Sequence, residues 1–292
     1  MSDYNKDQLT QEVMQAFATP QAGRLGEIMA SLVKHLHAFT REVDLTPEEW
    51  LAGLQFLTKT GQISTERRPE FILLSDVLGL SMMVVSLSQA RESKSIEGAT
   101  EATVEGPFYW PGAPEVELGG NIAEGVIGEP AYYTGLVTDV AGKPLPGALL
   151  DLWSGNGEGN YDVQLSSEPT MQARGKIRTD ALGRYRFWSI RPTYYPIPSD
   201  GPVGDLMRAT HRSINRPGHI HMMVSAEGHV PVTTHLFVAD SPYLNQDAVF
   251  GKRDSLVVPF AQHPAGTAPD GTVMTQPYFT TSYDFRLAPV PA

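Results

Sequence analysis

The sequence predicts an α+β protein, in which a helical N-terminal domain precedes an antiparallel β-sandwich domain. Two different patterns of apolar residues along the chain lead to this prediction. Apolar residues recur at helical spacing from about residue 5 to 90, whereas short alternating segments separated by turns begin near residue 130. We place the helical domain at residues 1–100, a Gly- and Pro-rich linker at 101–130 and the β-sandwich at 131–292.

Three helical segments are predicted in the N-terminal part. An apolar stripe at helical spacing covers residues 25–39. The next helix is expected to begin at Thr46, which can cap it, with Pro47 in the first helical position and Glu49 completing a capping box. Residues 71–87 are expected to form one mostly buried helix.

The pattern of the C-terminal part predicts many short strands. They are predicted at residues 132–140, 148–153, 184–188, 219–225, 233–238, 255–259 and 281–287. Turn residues lie at 141–144 and 180–183. Short strands without intervening helices favour an antiparallel sandwich or barrel.

Composition excludes several classes of site. The chain of 292 residues carries a net charge of −11 and has no cysteine. It therefore has no disulfide, thiolate zinc site, iron–sulfur cluster or cysteine nucleophile, and the acidic balance disfavours a nucleic-acid partner. The run 71–87 is interrupted by Ser75 and Asp76, which makes it a poor membrane span. The N-terminus lacks signal-peptide features, so a cytoplasmic protein is expected.

The most informative short motif is His219-Ile220-His221. On a strand, residues i and i+2 project from the same face, so the two imidazoles could hold one metal ion. A pair of hydrogen-bonded surface histidines is an equally weighted alternative. Arg216 lies three residues earlier and favours a functional site, because a cation beside a metal would stabilise an anionic substrate.

Two tyrosines add a second indication. Tyr161 follows a Gly/Asn-rich loop, and Tyr195 lies in a segment that prolines restrict. Phenolate oxygens are hard donors that suit ferric iron. Most tyrosines are packing residues, however, and spacing alone does not select these two from eleven. The residues by themselves indicate a candidate two-histidine metal site on a β-sandwich and leave its identity open.

Longer strings carry a family resemblance. The sequence resembles the intradiol ring-cleaving dioxygenases, and the match extends over nearly the whole chain, including the helical N-terminal part. The matching strings, in the order and separations of the family, are TVEGPFY (103–109), DLW (151–153), GNY (159–161), YPIPSDGPVG (195–204) and RPGHIH (216–221).

This resemblance implies a non-haem Fe(III) centre. Its metal ligands would be Tyr161, Tyr195, His219 and His221, and Tyr195 would also accept a substrate proton. Arg216 would be catalytic by stabilising negative charge on the reacting substrate.

The resemblance also implies a substrate pocket. The residues that would line it are Leu73, Asp76, Val104, Gly106, Pro107, Phe108, Ile197 and Val249. Asp76 could meet an extra substrate hydroxyl or could lie on a helix surface. His235 stands where catechol-cleaving relatives are expected to have glutamine, and it could be a hydrogen-bonding neighbour of the iron site or a buried, satisfied histidine.

The implied reaction is cleavage of hydroxyquinol (benzene-1,2,4-triol) by O2 to 3-hydroxy-cis,cis-muconate, in equilibrium with maleylacetate, during aromatic degradation. Catechol or a chlorocatechol is the alternative substrate. More distant alternatives are a zinc hydrolase and a non-enzymatic β-sandwich binding module. The resemblance further implies a homodimer formed through the N-terminal helices, with phospholipid at the dimer interface.

Overall fold

The computed structural model describes residues 6–65, 68–92, 98–165 and 170–290. Residues 1–5, which belong to the N-terminal segment that lacks signal-peptide features, lie outside the described residues. The chain divides into two compact units, Met1–Lys59 and Thr60–Ala292. The helices are α1 (Lys6–Phe17), α2 (Gly23–Glu42), α3 (Pro47–Ile63), α4 (Glu70–Val77), α5 (Leu80–Glu92), α6 (Asp162–Leu165) and α7 (Pro202–Ala209).

The start of α3 confirms the predicted capping box. The Thr46 backbone N–H donates to the Glu49 carboxylate at 2.9 Å, and the Glu49 N–H donates to Thr46 Oγ1 at 3.2 Å. These two bonds satisfy donors that the first turn of a helix leaves without intrahelical partners.

The prediction of one mostly buried helix over residues 71–87 is wrong. The segment forms α4 and α5, which meet at a bend of 76°. Gly79 lies in this break at φ +72°, a conformation that a residue without Cβ adopts readily. Several large apolar side chains of the segment are exposed, namely Phe71, Ile72, Leu78, Leu80, Met83, Val84 and Leu87. Among the described residues, only this bent pair together has the length and apolarity of a membrane span, and no single helix does.

The strands form two five-stranded sheets and two short pairs. They are β1 (Pro130–Asp139), β2 (Leu149–Trp153), β3 (Arg174–Arg178), β4 (Arg184–Ile190), β5 (Tyr195–Pro196), β6 (Asn215–Arg216), β7 (His219–Ser225), β8 (Val232–Val238), β9 (Val257–Val258), β10 (Ala261–His263), β11 (Gly266–Thr267), β12 (Val273–Met274), β13 (Tyr278–Ser282) and β14 (Phe285–Leu287). One large sheet has the order β3-β2-β7-β8-β9; in the other the order is β10-β13-β1-β14, with β4 also paired to β1.

The sheets are mixed, whereas the sequence predicted antiparallel pairing throughout. β1 pairs in parallel with β13 and β14, and β8 pairs in parallel with β9. Parallel neighbours need a long connection: residues 239–256 separate β8 from β9, and most of the other strands lie between β1 and its parallel partners β13 and β14. Local alternation predicts a strand but does not identify its partner.

The largest core cluster contains residues from both five-stranded sheets. Val137 and Phe187 come from one sheet, and Leu150 comes from the other. β7 contributes Ile220 and Met222 to this core. Since side chains alternate along a strand, His219 and His221 project from the opposite face of β7.

Candidate metal centre

The centre is built on one face of the β3-β2-β7-β8-β9 sheet. His221 on β7 is the cross-strand partner of Trp153 on β2 and of His235 on β8. The Trp153 ring stacks on the His221 ring with centroids 4.7 Å apart. His219 and His221 are 2% and 1% exposed, so the imidazole pair is buried and not a surface pair.

The loop between β2 and α6 carries Tyr161 to this face of the sheet. After β2, Asn156 Oδ1 accepts the backbone N–H groups of Glu158 and Asn160, each at 3.0 Å. The chain then enters α6, and Tyr161 Oη lies 2.8 Å from His221 Nε2. Side-chain to backbone bonding of this kind fixes the course of an irregular segment.

Tyr195 approaches from the short β5–β6 pair, where its cross-strand partner is Arg216. Tyr195 is 4% exposed and Tyr194 is 43% exposed, so the two neighbours face opposite sides, as side chains along a strand do. Tyr195 Oη lies 3.5 Å from Tyr161 Oη. Both predicted tyrosines and both predicted histidines therefore meet in one buried cluster.

The imidazoles are held neutral. His219 Nδ1 donates to the Pro217 carbonyl at 2.7 Å, which leaves Nε2 with its lone pair. Burial, helped by the Arg216 charge, lowers the pKa of His219 to about 3. Burial also lowers the pKa of His221 well below its ordinary value and raises that of Tyr161 well above its own.

This donor set fits a transition-metal cation. Phenol oxygens from Tyr161 and Tyr195 converge with imidazole nitrogens from His219 and His221, and neutral imidazole is the form that binds metals. The ring nitrogens of His219, His221 and His235 also lie within 4.8 Å of one another. His235 differs from the other two because its two nitrogens contact Thr103 Oγ1 and His221 Nδ1, at 2.9 and 2.8 Å, and neither tyrosine nor Arg216.

Arg216 borders the cluster and is buried. Its Nη1 lies 3.2 Å from His219 Nε2 and 3.4 Å from Tyr195 Oη. Its Nε donates to Asp247 Oδ1 at 3.0 Å. Burial alone would raise the pKa of Asp247, but the Arg216 charge and hydrogen bonds hold that pKa below its ordinary value.

Sequence reasoning did not identify Asp247. This side chain also accepts the backbone N–H groups of Val249, Gly251 and Lys252. It thereby fixes both the guanidinium and the loop that carries Val249, one of the predicted pocket residues. The available signal was a single acid before the uncharged run Ala248–Gly251.

Most of the other predicted pocket residues lie near the cluster. Phe108 stacks on Tyr161 with centroids 4.5 Å apart, and a Cβ on Gly106 would lie 3.3 Å from His221. Leu73, Pro107 and Phe108 line one cavity of about 40 Å³. Val104 and Ile197 are buried, and their contacts with the cluster stay a prediction.

Asp76 is buried on α4 rather than lying on a helix surface, with 4% of its area exposed. Burial raises its pKa, while Ser81 and the charge of Arg216 act in the opposite direction. This carboxyl group is therefore within electrostatic reach of the Arg216–Asp247 pair.

A buried ion pair that the sequence did not reveal supports Tyr161. Arg174 Nη2 donates to Asp162 Oδ1 at 2.5 Å and to the Phe108 carbonyl at 2.8 Å. Both charged side chains are 1% exposed. Arg174 thereby links Asp162, the residue after Tyr161, to the backbone of Phe108, whose ring stacks on Tyr161. No spacing pattern pointed to this pair, because Arg174 comes from the separate strand β3.

Comparison with known proteins identifies the family. A family model described as dioxygenase matches residues 104–289, and one described as catechol dioxygenase N terminus matches residues 23–95. The chain is 46% identical to hydroxyquinol 1,2-dioxygenase from Rhodococcus opacus, covering 97% of this chain and 94% of the relative.

Solved structures agree with this result. The fold matches hydroxyquinol 1,2-dioxygenase from Pseudomonas putida with a TM-score of 0.89 and 41% identity, covering 97% and 98% of the two chains. It matches catechol 1,2-dioxygenase from Pseudomonas arvilla with a TM-score of 0.84 and 29% identity, covering 98% and 93%. The chain therefore belongs to the intradiol ring-cleaving dioxygenase family.

Proposed function

We propose that this protein uses a non-haem ferric centre to cleave hydroxyquinol between its adjacent hydroxyl-bearing carbons. Both atoms of O2 enter the product, 3-hydroxy-cis,cis-muconate, which equilibrates with maleylacetate. The observation that carries the proposal is the buried convergence of Tyr161, Tyr195, His219 and His221 in a chain 46% identical to a hydroxyquinol 1,2-dioxygenase. The hydroxyquinol enzyme matches at 46% identity over 97% of this chain, whereas a catechol 1,2-dioxygenase from Candida albicans matches at 42% over 83% of it, so the longer and higher match supports hydroxyquinol as the substrate.

These four side chains would hold the metal. When bound there, ferric iron would supply Lewis acidity toward the diol oxygens and an electron path from the ring to dioxygen. Tyr195 would take a proton from a substrate hydroxyl, and the 3.4 Å contact between its Oη and Arg216 Nη1 supports this role because a nearby cation stabilises a phenolate.

Arg216 would act on the charge that develops on the substrate. It is fully enclosed, and a cation in a water-poor site interacts more strongly with an anion than the same cation in solvent does. Asp247 holds the guanidinium in place, while Leu73, Pro107 and Phe108 would form part of the apolar wall around the reacting ring.

The proposal is tested by colour and oxygen uptake. Tyrosinate bound to ferric iron absorbs visible light by charge transfer, so the iron-loaded protein should be red to burgundy and lose that colour with a chelator. Oxygen-electrode assays should show faster uptake with hydroxyquinol than with catechol or a chlorocatechol. A colourless protein that is replete with metal and inert to O2 would favour a zinc hydrolase and contradict the proposal.

We also propose that the protein is a homodimer formed through its N-terminal helices. Apolar side chains of α2, namely Leu25, Ile28, Leu32, Leu36 and Phe39, are 46–66% exposed, an arrangement typical of a protein interface. A cavity of about 660 Å³ beside His37, Arg41 and Trp50 has room for an acyl chain. Light scattering should give twice the chain mass, and solvent extraction with mass spectrometry should detect phospholipid. A monomer would refute this assembly.

A cytoplasmic location stays a prediction.

A further inference from the structure

A buried chain of hydrogen bonds leads away from the metal centre behind His221. His221 Nδ1 lies 2.8 Å from His235 Nε2, and His235 Nδ1 lies 2.9 Å from Thr103 Oγ1. His235 is 0% exposed and Thr103 is 1% exposed, so water does not compete for these bonds. His221 and His235 are direct cross-strand partners on β7 and β8, which sets their separation through the sheet.

The far end of this chain is fixed by the backbone. The Thr103 N–H donates to the Thr233 carbonyl at 2.9 Å, and Thr234 Oγ1 donates to the Glu101 carbonyl at 2.7 Å. These bonds tie the segment around Thr103 to β8, the strand that carries His235. The hydroxyl that faces His235 is therefore held by the same sheet as the metal centre.

Only one direction of hydrogen bonding leaves His221 able to bind a metal. Its Nε2 faces Tyr161 Oη and must keep its lone pair, so its proton must reside on Nδ1. His221 Nδ1 then donates to His235 Nε2, and His235 Nδ1 donates to Thr103 Oγ1. The backbone of Glu105 also forms a hydrogen bond with the His221 imidazole, so His235 is one of two groups that support this tautomer. In the opposite direction the proton would sit on His221 Nε2 and block the metal.

We infer that His235 is a positioning residue that holds His221 in its metal-binding tautomer, and that Thr103 in turn orients His235. This inference rests on the proposed metal centre. It assigns the buried three-histidine cluster as two ligands and one supporting residue, because His221 Nε2 faces Tyr161 and His219 Nε2 faces Arg216, whereas the nitrogens of His235 contact only His221 and Thr103. Hydrogen-bond partners of ligating histidines commonly raise metal affinity about 10–100-fold.

The inference makes a specific prediction for glutamine at this position. The amide of a His235→Gln variant offers an oxygen to accept from His221 Nδ1 and an NH2 to donate to Thr103. His235→Leu offers neither. Thr103→Val removes only the last acceptor, whereas Thr103→Ser retains it.

The experiment measures iron retained per chain after dialysis against a chelator, together with the visible charge-transfer band. We expect His235→Leu to retain iron about 10–100-fold more weakly, with a shifted or broadened band. Thr103→Val should weaken iron retention and alter the band in the same way as His235→Leu, but to a smaller extent. His235→Gln and Thr103→Ser should retain iron and absorb nearly as the wild type does. Thr281→Val is the matched control, since Thr281 is a buried threonine whose hydroxyl has no partner among the described residues.

The outcomes separate this inference from the proposed function. Wild-type protein that neither holds iron nor shows the band would refute the metal centre itself. Iron-loaded wild type with unaltered His235→Leu and Thr103→Val variants would refute the positioning role alone. Equal iron loss in His235→Gln and His235→Leu would instead make His235 a direct nitrogen ligand. If His235→Leu does not fold, as judged by circular dichroism, the comparison of Thr103→Val with Thr103→Ser decides.

Discussion

The buried Arg216 guanidinium is neutralised by an ion pair with the carboxylate of Asp247. The pair with Asp247 is buried, and the side chains of both partners are 3% exposed. A charge enclosed in this way is strongly unfavourable without its counterion, so the carboxylate that neutralises Arg216 also determines where the guanidinium points. The catalytic role proposed for Arg216 therefore depends on Asp247.

Asp247→Asn tests this dependence. The variant keeps the shape of the side chain but removes the charge, so we expect oxygen uptake to fall about tenfold or more as the guanidinium loses its orientation. The free energy of unfolding should fall by about 3–5 kcal/mol, the usual effect of breaking a buried pair. Asp254→Asn is the control, because the side chain of Asp254 is 94% exposed. Equal activities for the two variants would contradict the role of Asp247.

We propose that Asp76 distinguishes a triol from a diol. Its buried carboxyl group is near the Arg216 charge and forms a hydrogen bond with Ser81, and a third substrate hydroxyl would add a second hydrogen-bond partner. We expect Asp76→Ala to lower kcat/KM for hydroxyquinol by about tenfold, the effect of losing one hydrogen bond to a charged group, and to affect catechol less. Equal losses on both substrates would exclude a role in specificity.

At the scale of elements, Gly159 couples the two tyrosine segments. A Cβ at this position would lie 2.8 Å from Tyr195 Cβ and 2.9 Å from the Tyr194 carbonyl oxygen. The loop that delivers Tyr161 thus packs directly on the backbone that carries Tyr195. The separation of the two phenols is set by this contact.

Gly159→Ala should separate the tyrosines. Since backbone atoms cannot yield as a flexible side chain can, we expect weaker iron retention, lower activity and a loss of about 1–3 kcal/mol in stability. Gly142→Ala is a matched control, because both glycines have φ +83° and a Cβ on Gly142 would meet nothing within 4 Å. If Gly142→Ala lost as much iron as Gly159→Ala, backbone strain alone would explain the effect.

At the scale of the whole molecule, neutral buried histidines link stability to pH. Burial lowers the pKa of His219, His221 and His235 in the folded state. The unfolded chain therefore binds protons that the folded chain excludes as the pH falls below about 6.5. Stability that is present above this pH is lost progressively down to about pH 3, the folded pKa of His219.

Chelator-treated protein should therefore unfold at lower temperature at pH 5 than at pH 7. His219 alone should contribute a difference of about 2 kcal/mol, from a pKa near 6.5 in the unfolded chain and about 3 in the fold. Calorimetry across this range measures the change. A His219→Gln variant should have a shallower dependence on pH, and an unchanged slope would show that the imidazole is not buried in its neutral form.

Local sequence signals predicted individual elements, including one helix start and the strand that carries two site residues. The capping box at Thr46 and the strand around His219 depend on residues close together in the chain, and both are present. The bend at Gly79 was not predicted, because apolar spacing continues through it. Parallel pairing of β8 with β9 was not predicted either, since alternation carries no information about neighbouring strands.

What the sequence by itself determined was the set of chemical groups: phenols, imidazoles and one guanidinium, with no thiol available. It also placed His219 and His221 on one face, because a strand repeats every second residue. Only the tertiary structure decided that Asp247 pairs with Arg216, that Gly159 sets the approach of Tyr161 to Tyr195, and that His235 stands behind His221. These contacts join segments distant in the chain, and their geometry follows from sheet register and close packing rather than from local pattern.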